Sequence, residues 1–121
     1  MKRNILESYL NKINNNHMDD LLSGYEVITY TDPKDIEIGL LRFKTVPKGK
    51  AFVFKLPKEE IAEFHTINMF FSVDIYFFNK DKKIIISYKS VPPGMDNISS
   101  KKLCKFVVEI PKRNQEAKYD M

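Results

Sequence analysis

A chain of 121 residues, 43% hydrophobic and 12% aromatic, is long enough to bury one modest core and too short for two. Its single cysteine, Cys104, excludes an intrachain disulfide and any cysteine-based metal site. The net charge of +4 is carried almost wholly by lysine, since the only arginines are Arg3, Arg42 and Arg113; lysine suits a solvated surface and loose phosphate contact but lacks the planar fork that reads bases.

In chain order, Asn4 to Ile13 reads as a helix, with Ile5, Leu6, Tyr9, Leu10 and Ile13 on one stripe and Asn4 and Glu7 in a capping-box arrangement. The asparagine run 14–16 stops it, and Asp19 to Leu22 adds a further helical turn. The stripe is expected to dock on the rest of the chain as a lid, or else to meet a partner. Tyr25 to Tyr30 is a strand, rich in β-branched and aromatic residues. Asp32 then caps a short helix begun by Pro33 and ended by Gly39. After a surface loop with Pro47 and Gly49, four more strands are expected at Ala51–Leu56, Val73–Phe78, Lys83–Val91 and Lys105–Ile110. Val73–Phe78 is apolar nearly throughout, which predicts burial on both faces. Asn79 to Lys82 makes a hairpin turn, and Val91-Pro92-Pro93-Gly94 opens a loop that runs through Ser100. The segment from Lys112 onward is polar and expected to fray.

The expected class is mainly β (α+β by strict count). The sheet is compact, antiparallel or mixed, and barrel-like, with one short helix after the first strand and an added N-terminal helix. Residues 1–22 form a helical extension, 23–112 the core domain and 113–121 a polar tail. There is no apolar leader at the N-terminus and no run near the roughly 18 apolar residues of a membrane span, so the expectation is a cytoplasmic protein without membrane contact, in which a lone thiol stays reduced.

Catalytic and cofactor signatures are not found. The four glycines stand alone, so no phosphate loop is formed, and no G-x-S-x-G elbow occurs. Cys104 is expected to be a small buried hydrophobe, and neither His17 nor His65 stands at metal-ligand spacing from acids. No metal or cofactor is therefore expected. The unusual stretch is His65 to Asp74, which sets His65, Thr66, Asn68 and Asp74 in the most apolar part of the chain. A carboxylate entering a core strand costs several kcal/mol unless donors meet it, so Asp74 must have defined partners. It either pins the turn before the strand or serves as an acid in a pocket, and His65 divides in the same way between structural histidine and proton shuttle.

Four blocks in order resemble one small family. They are Gly39-Leu40-Leu41-x-Phe43 with Val46-Pro47; Ala51-Phe52-Val53-Phe54; His65 through Phe78; and Val91-Pro92-Pro93 followed by Phe106-Val107-Val108-Glu109-Ile110-Pro111. Their order and spacing, from about Val27 to Pro111, resemble domain of unknown function 192, in its archaeal version. Ser72 stands where the family pattern has proline before the I-D pair, and the chain turns polar where that pattern has a glycine-rich C-terminal segment. The resemblance implies a compact, mainly β fold with a short helix after the first strand, and no established activity.

The candidate ligand or structural polar site is His65, Asn68, Ser72 and Asp74, with Arg42 and Glu109 from the first and fourth blocks. Three functions compete. The first is a non-catalytic binding module for an unidentified protein or small molecule. The second is association with nucleic acid or a ribonucleoprotein through Lys80/Lys82/Lys83, Lys101/Lys102/Lys105 and Lys112/Arg113. The third is a small enzyme with His65 as acid–base and Asp74 as its orienter, which requires the two side chains to converge.

Overall fold

The computed structural model describes residues 17–112. The stripe Asn4 to Ile13 and the tail from Arg113 lie outside them. The first element is a helical turn, α1 (Met18–Leu22), whose N-cap His17 accepts the Asp19 N–H. Strand β1 (Glu26–Tyr30) follows, then α2 (Pro33–Ile38), where the Asp32 carboxylate accepts the Lys34 N–H at 2.8 Å and Pro33 fills the first turn. Gly39 takes φ 55°, which a Cβ would disfavour, and redirects the chain into a 3-10 turn at Gly39–Arg42.

The remaining elements are β2 (Lys50–Glu60), β3 (Glu63–Phe64), β4 (Ser72–Phe78), β5 (Ile84–Val91), β6 (Ile98–Ser99) and β7 (Cys104–Lys112). Five strands make one mixed sheet in the order β1-β2-β7-β4-β5, parallel only between β1 and β2, and β3 pairs with β6 in a separate ribbon. The Asn79 side chain accepts the N–H groups of Asp81 and Lys83, which closes the β4–β5 hairpin at the turn expected there. Every residue of β4 is buried, in keeping with a run that is apolar at all positions but Ser72 and Asp74.

Side-chain alternation divides the core in two. On the first face, Phe52, Phe54, Val73, Ile75, Phe77 and Val107 meet Leu40, Met69, Phe71 and Ile98, with Ile36, Leu41 and Phe64 packed on them. On the second face, Ala51, Val53, Tyr76, Phe78, Val108 and Ile110 are covered by Met18, Leu21 and Leu22 of α1. A Met18 N–H to Lys82 carbonyl bond of 2.8 Å ties α1 to the β4–β5 turn.

The mainly β class is therefore correct, and the barrel-like closure is not. The sheet is open, with β1 and β5 as its two edges. The first face is filled by α2, the 3-10 turn and the β3–β6 ribbon, so its apolar surface is covered without the edges having to meet. The loop expected through Ser100 also contains the short strand β6.

Candidate functional site

A cleft of about 360 Å³ opens on the first face of the sheet. One wall is the α2-to-3-10 joint, Ile36 to Leu41, bent into place at Gly39. The opposite wall is Glu63, Phe64, His65 and Met69. Phe64 is set by ring contacts with Phe54 and Phe77, at centroid distances of 5.9 and 6.0 Å. The turn behind it is anchored through buried Thr66, whose hydroxyl donates to the Pro92 carbonyl at 2.7 Å and accepts the Met95 N–H at 2.9 Å.

The floor is Glu109. On β7 it stands between Phe52 of β2 and Ile75 of β4, in the middle of the sheet, and only 3% of it is exposed. Its carboxyl has no hydrogen-bond or ion-pair partner within the protein among the described residues, and the small surface it retains opens on the cleft. Burial alone pushes its pKa up to about 8. At neutral pH it is a protonated acid, with one O–H to donate and a carbonyl oxygen to accept.

The structure brings His65 and Glu109 of the expected site to this cleft and leaves the other four elsewhere. Asp74 alternates with Val73 and Ile75 and so points to the second face, as Tyr76 and Phe78 do. There it accepts the Ser90 N–H at 2.7 Å, lies 3.1 Å from Lys112 Nζ and accepts the Tyr76 hydroxyl at 3.4 Å. Val73 pairs with Val91 and Ile75 with Tyr88, so Asp74 faces two residues, Lys89 and Ser90, across a β-bulge. Asp74 thus pins the bulge in β5, a structural carboxylate with the defined partners its burial demands. His65 and Asp74 lie on opposite sides of the sheet, and the acid–base pair is not formed.

His65 is exposed, and its Nδ1 accepts the Ile67 N–H at 3.1 Å. Asn68 is an exposed turn residue at φ 68°. Ser72 is buried in β4 and already partnered. Arg42 ties the α2 joint: it donates to the carbonyls of Gly39 and Asp35, pairs with the Asp35 carboxylate at 3.5 Å and lies 4.4 Å over the Tyr30 ring. Cys104 is fully buried and desolvation raises its pKa, so it is the inert small hydrophobe its sequence setting suggests.

Glu37 and Glu63, at the rim, were not among the sequence candidates, since isolated glutamates at exposed positions carry no pattern. Of the lysine clusters, Lys82 lies 5.7 Å over the Phe106 ring, Lys105 donates to the Pro57 carbonyl and Lys112 is held by Asp74. Among the described residues no group of His, Cys, Asp or Glu is placed to hold a metal ion, and no helix is long and apolar enough to cross a membrane.

The sheet with its parallel edge, its crossover helix and its covering ribbon defines a fold shared with known structures. A "putative transcription regulator" from Sinorhizobium meliloti 1021 matches with TM-score 0.67 and 18% identity, over 77% of this chain and 73% of that one. A protein of unknown function from Novosphingobium aromaticivorans DSM 12444 matches with TM-score 0.67 and 15% identity, over 77% and 67%. At these identities the likeness is one of fold. No curated protein matches the sequence. The chain belongs to the family domain of unknown function 192 (Uncharacterized ACR), whose pattern covers residues 15–118. The match is to the family as a whole and does not single out an archaeal version.

Proposed function

We propose that this protein is a non-catalytic binding module that holds a small organic ligand in the first-face cleft. One observation carries the proposal: Glu109 is buried to 3% exposure without a partner, and its carboxyl faces the cleft. The fold supplies no partner to this carboxyl and the surface it keeps opens on the cleft, so a ligand reaching the floor finds a donor and an acceptor that the protein leaves unused. Apolar walls with one deep polar anchor, at about 360 Å³, suit a ligand of modest size. No nucleophile, base and orienter converge there among the described residues, so binding is favoured over catalysis. The free, buried Cys104 thiol is consistent with a reducing, cytoplasmic setting.

A thermal-shift screen of amines, amides, carboxylates, sugars and nucleosides tests the proposal. One chemical class should raise Tm, by as much as about 2.7 kcal/mol of stabilisation at a ligand concentration 100-fold above Kd. The shift should vanish in Ile38→Trp, which blocks the mouth at an exposed rim position. No shift from any class, or a shift unchanged in Ile38→Trp, overturns it. Nucleic-acid association, the competing proposal, predicts instead an oligonucleotide affinity that falls steeply with salt and ignores Ile38→Trp.

A further inference from the structure

We infer that the cleft takes an organic cation, a protonated amine carried on a short apolar body. The inference rests on the binding-module reading and adds the chemistry of the ligand to it. Three carboxyl groups line the cleft, Glu37 and Glu63 at the rim and Glu109 at the floor, and no lysine or arginine does among the described residues. Two cations near these elements are engaged elsewhere. Arg42 is held by Asp35 and by the Gly39 carbonyl, and Lys50 donates to Glu26 Oε1 at 2.7 Å. The space between rim and floor is walled by Ile36, Leu40, Phe64 and Met69, which suits a short apolar body.

That arrangement sorts ligands by charge. An anion would accept one hydrogen bond from protonated Glu109 at the floor, but it passes two rim carboxylates on the way in and meets no lysine or arginine of the lining to balance its charge. A neutral amide could exchange two hydrogen bonds with Glu109 but would gain nothing from Glu37 and Glu63. A protonated amine gains from all three: the rim draws it in, the walls bury its apolar body, and the floor gives it a charge-assisted hydrogen bond. An ion pair formed at the floor also offsets the cost of an unpaired buried carboxylate, the cost that keeps Glu109 protonated when the cleft is empty.

A proton balance follows. The titratable residues lining the cleft with Glu109 are Glu37 from α2, and Glu63 and His65 from the opposite wall; β2 and β4 place Phe52 and Ile75 beside it in the sheet. With the Glu109 carboxyl titrating at about 8 in the empty cleft, binding an ammonium group near neutral pH ionises it and releases its proton to solvent. Affinity therefore rises about tenfold per pH unit up to that value and levels off above it, while an alkylammonium itself stays charged to about pH 10.

Calorimetric titration of the full chain with n-hexylamine, hexanamide and hexanoate tests the inference. It is run in two buffers of different ionisation enthalpy, at about pH 6 and about pH 9. Hexylamine should bind with close to one proton released at the lower pH and almost none at the higher, and at least about tenfold more tightly than either neutral or anionic analogue. Glu109→Gln should keep the fold, lose the proton release and lose about tenfold or more in hexylamine affinity at the higher pH. Hexylamine binding that is unchanged in Glu109→Gln, or that releases no proton, overturns the cation. Binding of hexanamide or hexanoate in preference, abolished by Ile38→Trp, overturns the cation but leaves the binding module standing. If no probe binds and the wider screen also shows no shift, both fall together.

Discussion

Asp74 and Glu109 are one residue out of step across the β4–β7 pair, Asp74 opposite Ile110 and Glu109 opposite Ile75, and each is 3% exposed. That single step sends them to opposite faces of the sheet. Asp74 finds the Ser90 N–H, Lys112 and Tyr76; Glu109 finds phenylalanine and isoleucine on either side and a cleft in front. Burial is the same and chemistry is not. A buried carboxyl whose oxygens are taken by the fold is part of the architecture, whereas one left without a partner is available to something outside the fold.

The largest effect should come from breaking the partnered carboxylate. Asp74→Ala leaves the bulged Ser90 N–H without its acceptor and Lys112 without its counter-charge, at a cost of about 3 kcal/mol. Lys112 is 42% exposed at its side chain and can return to water, which keeps the cost below that of a fully buried pair. Urea unfolding at neutral pH measures it. Asp74→Asn, which retains an oxygen for Ser90, should cost about half as much; equal losses would mean the Lys112 charge matters more than the bulge.

Glu109 should matter to stability mainly through pH. Its folded pKa of about 8 lies above the ordinary glutamate value of 4.5, so the unfolded chain gives up this proton first as pH rises. The contribution is fully present below 4.5, declines as pH rises and is lost by about 8. Glutamine does not titrate. Relative to Glu109→Gln, the wild type should lose on the order of 2 kcal/mol between about pH 5 and pH 7, read from paired denaturation curves. Parallel curves would mean that the carboxyl is solvated in the folded state.

A smaller effect tests the bulge that Asp74 holds. Ser90 sits at φ 53°, which costs a non-glycine residue about 1–2 kcal/mol. Ser90→Gly relieves that strain but adds chain entropy of roughly 0.5–1 kcal/mol, so a net gain of about 0.5 kcal/mol is expected in the same urea assay. A loss would mean that the Ser90 side chain stabilises the bulge more than its conformation strains it.

Much of this was legible in the residues. The apolar run Val73–Phe78 is the buried central strand, Asp32 and Gly39 bound the helix, and Asn79 closes the hairpin, because each of those signals is local. Sidedness was not legible, because it belongs to the pairing. Asp74 stands in an apolar run and Glu109 in another, and only the register of β7 between β2 and β4 decides that they face apart. The two-residue strands β3 and β6 are too short to show a period, yet they fill the face that a closed barrel would otherwise have covered. Glu37 and Glu63 become rim residues only once Gly39 has turned the chain and β3 has docked.

His65 gives the finest test of the comparison, since the block that drew attention to it holds both kinds of residue. It is exposed, and its one hydrogen bond, from the Ile67 N–H to Nδ1, is local to its own turn. The turn is held independently by Thr66, which is fully buried and bonded to the Pro92 and Met95 backbone. His65→Ala should therefore change stability by no more than about 0.5 kcal/mol. Its ring stands on the cleft wall beside Phe64, so the same substitution should alter the affinity of a cleft ligand by a few-fold while the Tm of the free protein stays put. If stability falls instead and affinity does not change, His65 belongs with Asp74 among the residues that build the fold, and the binding surface narrows to Glu109 and its two rim glutamates.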